Sequence, residues 1–121
     1  GGGQLDIVVA NIGERNMIYY GSKKGSYALS KAFGNPATAT HSIMLADLDR
    51  DGNMDIVVGN KGQRNHYYLN NKKELLQYTF GQKAGDTYGV TIGDLDGDAY
   101  PDIVTANSGG WNIIYYNQPS K

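Results

Sequence analysis

Two short stretches of this sequence gather carboxylates in a pattern that asks for a cation. Asp47-Leu48-Asp49-Arg50-Asp51-Gly52-Asn53-Met54-Asp55 and Asp94-Leu95-Asp96-Gly97-Asp98-Ala99-Tyr100-Pro101-Asp102 both read D-x-D-x-D-[GA]-x-x-D. They hold eight of the twelve acidic residues, and outside them four acids face ten basic residues. Packing like charges so closely is costly unless a counter-charge sits among them. Calcium takes six to eight hard oxygen ligands at about 2.3–2.6 Å and tolerates irregular geometry. Asp47, Asp49 and Asp51 would supply side-chain oxygens, Asn53 its backbone carbonyl, and Asp55 would close the site. Asp94, Asp96, Asp98, Tyr100 and Asp102 fill the same roles in the second loop. The expectation is two Ca2+ per chain. Magnesium fits less well, because it prefers a smaller octahedral shell that keeps water.

An EF-hand shares the first half of this pattern, but it needs an acid at position 12 and a helix after it. Position 12 is Val58 or Thr105, inside an apolar, β-branched run. Gly52 at position 6 suits a left-handed bend, whereas Ala99 in its place pays about 1 kcal/mol or more. The first loop is therefore expected to bind more tightly than the second.

The elements that must position these loops recur along the chain. Asp6-Ile7-Val8-Val9-Ala10-Asn11 matches Asp55-Ile56-Val57-Val58-Gly59-Asn60 and Asp102-Ile103-Val104-Thr105-Ala106-Asn107, at spacings of 49 and 47 residues. Phe33-Gly34 pairs with Phe80-Gly81. Each repeat reads as four short strands. Strand A is Ser42–Ala46, matched by Gly89–Gly93, and strand B is the Asp-Ile-Val-Val run. Strand C is the aromatic run around Tyr67-Tyr68. Strand D is Leu76–Phe80, matched by Ser26–Leu29. The continuous apolar runs of B predict burial on both faces, and Gly-x-x-Asn between B and C is turn chemistry. Asp6 ends a partial third loop that lacks its first three ligands, so it is not expected to hold calcium.

Four strands at a period just under fifty residues predict an all-β fold of propeller blades, each a four-stranded antiparallel sheet. The order runs B-C-D, A-B-C-D, A-B-C, so fewer than three blades are present. Residues 1–5 read as a linker or cloning remnant, 6–117 as the repeats (about 6–46, 47–93 and 94–117), and 118–121 as a tail. Fewer than three blades cannot close a ring. Completion is expected by a homo-oligomer, two or three copies head to tail, or by the missing part of a longer propeller.

Composition removes several function classes. The absence of cysteine excludes disulfides, thiol nucleophiles and thiolate metal sites. A formal net charge of −1 gives no basic excess for nucleic acid. No apolar run approaches the roughly 20 residues of a membrane helix. His41 and His66 have no patterned acid or nucleophile partner, and the carboxylates are committed to metal. No enzyme activity is expected. Arg15, Arg64 and Trp111 occupy the same turn in successive repeats and are the candidates for gripping a ligand, a sugar or a carboxylate.

The Asp loops, the D-I-V-V-x-N strand, the N-x-Y-Y-x-N strand and the Phe-Gly pairs together resemble FG-GAP/VCBS repeats. Those are the calcium-bearing propeller blades of integrin α-chain heads and of many secreted bacterial and fungal proteins. The resemblance covers the chain from Asp6 to about Asn117. It implies that the Asp positions are calcium ligands of mainly structural role and that the protein is extracellular or secreted. It further implies a non-catalytic binding or adhesion scaffold for carbohydrate or protein. The alternative is a structural propeller fragment of a larger secreted enzyme, such as a polysaccharide-acting one.

Overall fold

The computed structural model describes residues 4–118, apart from the side chains of residues 82–84. Gly1–Gly3 of the expected remnant and residues 119–121 of the expected tail lie outside the described residues. Every named element among the described residues is a strand: β1 (Ile7–Val9), β2 (Asn16–Tyr20), β3 (Leu29–Phe33), β4 (Ala39–Ala46), β5 (Asp55–Asn70), β6 (Leu75–Gly93), β7 (Asp102–Ser108) and β8 (Ile113–Tyr115). All pairings between them are antiparallel.

The strands realise the expected order, but the sheets are not separate four-stranded units. One has three strands, β1-β2-β3, and the other five, β4-β5-β6-β7-β8. The second is continuous because β5 and β6 each serve two roles. β5 has 16 residues, which would span about 50 Å if straight. The Asn70 amide nevertheless donates to Asp55 Oδ1 at 2.9 Å, so the two ends of β5 meet. The chain folds back near Gly62, whose φ is 74°. Its first arm pairs with β4 and its second with the start of β6, giving one full A-B-C-D meander. β6 then runs on, through an irregular ladder at Lys61 and Gln63, to pair with β7 as strand A of the next repeat.

Strand D of the first repeat begins later than its sequence suggested. Ser26–Ala28 lie outside any strand, and β3 starts at Leu29. The register is set from the other end: Phe33 pairs with Asn16 as Phe80 pairs with Asn65. Ser26 instead closes a turn, its amide bonded to Ser22 Oγ and its hydroxyl accepting the Ala28 amide.

Strand B of the middle repeat shows why its run is apolar throughout. Ile56 and Val58 face one cluster with Ile18, Phe33 and Tyr68, while Val57 faces another with Leu48, Val90 and Ile103. Each cluster is a joint between successive repeats. Phe33 meets Tyr68 edge-on at 5.1 Å, and Phe80 meets Tyr115 in the same way at 4.9 Å. The glycine after each Phe has positive φ. A Cβ on Gly34 or Gly81 would lie 3.0 Å from the hydroxyl of that tyrosine, so the Phe-Gly pair is both turn and socket.

A polar relay crosses the same joints. Asn16 Nδ2 donates to Thr40 Oγ1 (3.0 Å), which donates to Asn60 Oδ1 (2.9 Å). One repeat later, Asn65 Nδ2 donates to Thr87 Oγ1 (2.9 Å), which donates to Asn107 Oδ1 (2.8 Å). Asn16, Thr40, Asn60, Asn65 and Thr87 are all buried, and the relay satisfies them across the boundary. Phe33, only 3% exposed, is the apolar counterpart of that relay. Phe33→Ala is expected to cost about 3–5 kcal/mol in urea unfolding. A loss below about 1 kcal/mol would overturn its place as the joint.

Candidate metal centre

The two Asp loops are built alike. Asp47 and Asp94, at position 1, accept amides from within their own loops: Asp51 (3.0 Å) and Gly52 (2.8 Å) on Asp47, Gly97 (2.9 Å) and Ala99 (2.9 Å) on Asp94. Asp51 and Asp98, at position 5, turn to the amides of Asn53 and Tyr100, both at 2.9 Å. Position 9 is different. Asp55 and Asp102 stand at the first residue of a B strand with 0% exposure. Asp55 accepts the Leu48 amide (2.8 Å) and the Asn70 amide (2.9 Å). Asp102 accepts Leu95 (2.8 Å) and Asn117 (2.9 Å). Each buried carboxylate thus ties its loop, strand B and the end of strand C into one knot. Asp6 keeps half of that knot, accepting the Gly21 amide at 2.9 Å.

The structure brings positions 1, 3 and 9 together. Asp47, Asp49 and Asp55 each offer an oxygen within 4.8 Å of the others, and Asp94, Asp96 and Asp102 do the same. Asp51 and Asp98 stand outside those triads, and Asn53 and Tyr100 engage them through backbone amides. Three carboxylates so close, one of them buried, are a hard-oxygen donor set that fits calcium. Desolvation and crowding both act on these carboxyl groups. Desolvation pushes the Asp49 carboxyl above its ordinary range, and the charges of Asp55 and Asp51 add to it. Burial likewise raises Asp55. Desolvation raises Asp96, with Asp98 and Asp102 contributing. Asp51 moves the other way, held down chiefly by the Asn53 amide.

Backbone strain is shared in a way the sequence did not suggest. Both loops take positive φ at positions 4 and 6. The first has Arg50 at 59° and Gly52 at 90°; the second has Gly97 at 78° and Ala99 at 71°. Each loop therefore has one glycine and one strained residue, and the expected tighter first loop loses its basis. Ala99 is strained as expected, but Arg50 offsets it. Arg50 is held there: its Nη1 donates to the Ala99 carbonyl at 2.9 Å, and its guanidinium lies 5.9 Å from the centre of the Tyr100 ring.

The turn candidates fall elsewhere. The Arg15 guanidinium donates to the carbonyls of Gly34 (2.8 Å) and Ala32 (3.3 Å). Arg64 donates to the Gly81 carbonyl. Both clamp strand C to the segment around the Phe-Gly pair. Trp111 at the same position is 89% exposed. Of the histidines, His41 stacks edge-on against Tyr88 at 5.3 Å. His66 shares a hydrogen bond with Thr79 (3.1 Å), and burial lowers its pKa. The residue that inspection of the sequence missed is Asn117. Its signal was the asparagine shared with Asn70 at the end of strand C.

Comparison with known families gives one result: a sequence model described as FG-GAP-like repeat matches residues 1–58 and again residues 47–105. No curated protein matches the chain.

Strain at position 6 of the second loop has a direct test. Ala99→Gly removes the Cβ from a left-handed residue and is expected to raise stability by about 1 kcal/mol. Chemical denaturation in chelator checks the fold, and calcium titration checks the site. No gain in either would show that position 6 carries no strain.

Proposed function

From the premise that this chain belongs to the FG-GAP-like repeat family, we propose that it is a calcium-stabilised, non-catalytic scaffold of an extracellular propeller, carrying a binding surface for carbohydrate or protein. The observation that carries this reading is the triad of carboxylates repeated at the same place in two loops, with its third member fully buried. Asp47, Asp49 and Asp55 would hold one ion and Asp94, Asp96 and Asp102 another. Asp51, Asp98 and the carbonyls of Asn53 and Tyr100 would complete the shells. The ion supplies the positive charge that clustered carboxylates lack, so its role is structural. Burial and two backbone amides on each of Asp55 and Asp102 suit a fixed ligand better than a group that must exchange protons.

The binding role rests on Trp111, whose exposed ring could stack on a sugar or fill a partner's pocket. Arg15 and Arg64 serve that surface less directly, since their guanidinium groups are spent on backbone carbonyls. No helix among the described residues is long and apolar enough to cross a membrane.

The same reading extends to partners. Ile7 on β1 and Ile113 and Ile114 on β8 are between 40 and 47% exposed, each on a strand at the end of its sheet. In the interior of the fold, the equivalents of Ile7 (Ile56 and Ile103) and of Ile114 (Ile18 and Tyr67) pack in the joints. We expect these faces to be covered by further repeats, from a second copy or from a longer polypeptide.

Two measurements test the proposal. Chelation is expected to lower the melting temperature, because an ion that binds the folded state alone adds about 2.7 kcal/mol per site at a hundredfold excess over Kd. Calcium should restore it and magnesium should do so poorly; an unchanged melting temperature would remove the structural ion. Light scattering in millimolar calcium reads the partner. A particle of two or more chains supports completion by a second copy, and a folded, dispersed monomer of 13.1 kDa refutes it.

A further inference from the structure

The two candidate calcium loops touch. Arg50, at position 4 of the first loop, donates through Nη1 to the carbonyl of Ala99, at position 6 of the second. Its guanidinium lies 5.9 Å from the centre of the ring of Tyr100, at position 7. A second route runs through the interior. The Leu48 amide donates to Asp55 Oδ2 (2.8 Å), and the Leu48 carbonyl accepts from Asn117 Nδ2 (2.6 Å). The Asn117 amide then donates to Asp102 Oδ1 (2.9 Å). One chain of hydrogen bonds thus joins the buried position-9 carboxylate of the first loop to that of the second, across the boundary between repeats.

The arrangement is directional. Gly97 takes the place of Arg50 in the second loop and has no side chain to reach onward. Asn70, which takes the place of Asn117, spends its Nδ2 on the carbonyl of Met54, in the loop of its own repeat.

From these contacts we propose that the two loops bind calcium as a coupled pair, with Arg50 and Asn117 as the coupling residues. This inference rests on the calcium reading above. An ion in the first loop fixes the peptide at Leu48 and the backbone at Arg50. Those groups hold the Ala99 carbonyl and, through Asn117, the Asp102 carboxylate in place, so the second ion finds its ligands already ordered. Coupling between sites is reciprocal, so the second ion favours the first by the same factor. The sign is positive cooperativity.

Calcium titration by isothermal calorimetry separates the outcomes. Asp49→Asn disables the first loop and Asp96→Asn the second, with circular dichroism reporting whether each variant keeps its fold. Each single variant is expected to weaken the remaining loop by about fivefold or more. The pair Arg50→Gly and Asn117→Ala leaves every carboxylate in place. In that background two ions should still bind, with the cooperative curvature of the isotherm gone and each loop indifferent to loss of the other. Because this pair keeps the whole ligand set, it tests the link even if an Asp variant fails to fold. Two ions bound independently by the unmodified chain would overturn the coupling and leave the calcium reading standing. No calcium bound by the unmodified chain would overturn both.

Discussion

A carboxylate with no solvent exposure, placed at the first residue of strand B, is the interaction around which this molecule is arranged. Burying a charge in that way is expensive unless hydrogen bonds or a cation compensate it. Asp55 and Asp102 are each compensated twice by backbone amides, one from the Asp loop and one from the end of strand C. The compensation dictates local structure. The loop must curl back until its second residue faces the strand it leads into, and strands B and C must form a hairpin of one length. Asp6 imposes the same hairpin in the first repeat, through Gly21. The candidate metal site is then a consequence of folding: the loop that serves the buried carboxylate brings positions 1 and 3 to it.

Between repeats, the molecule uses one joint twice. A Phe-Gly pair receives the edge of a tyrosine from the next repeat, and an Asn-Thr-Asn relay runs beside it. The apolar half supplies most of the stabilisation, since aromatic burial is large. The polar half supplies register, because a shift of one residue would strand buried amides without partners. Neither half is complete within a single repeat. Such units depend on their neighbours, and stability belongs to the boundaries as much as to the sheets.

Much of the candidate site was legible in the order of residues. The D-x-D-x-D-[GA]-x-x-D spacing named four carboxylates in each loop, of which three converge while Asp51 and Asp98 stand apart, and it could do so because a loop of nine residues is a local object. Its ligands are close in space because they are close in sequence. The same locality explains why strand B could be read as buried on both faces: an unbroken Ile-Val run has no polar residue to turn outward. Strand D of the first repeat was misplaced for the opposite reason. Its start is set by pairing with strand C, counted from Phe33 and Asn16, and no local signal at Ser26–Leu29 carries that count.

The sequence by itself therefore determined the repeat, the strand content and the set of aspartates from which each triad is drawn. All of these follow from periodicity and short-range spacing. The tertiary structure alone decided that Arg50 shares the strain expected of Ala99 and how the repeats communicate. Arg50 adopts a left-handed conformation because both loops bend at two positions, and it reaches a loop 49 residues away because folding sets those loops side by side. Asn117 meets Leu48 across 69 residues of chain. Contacts of that range depend on how one repeat packs on the next, and that packing is a property of the assembled faces that no local stretch of residues encodes.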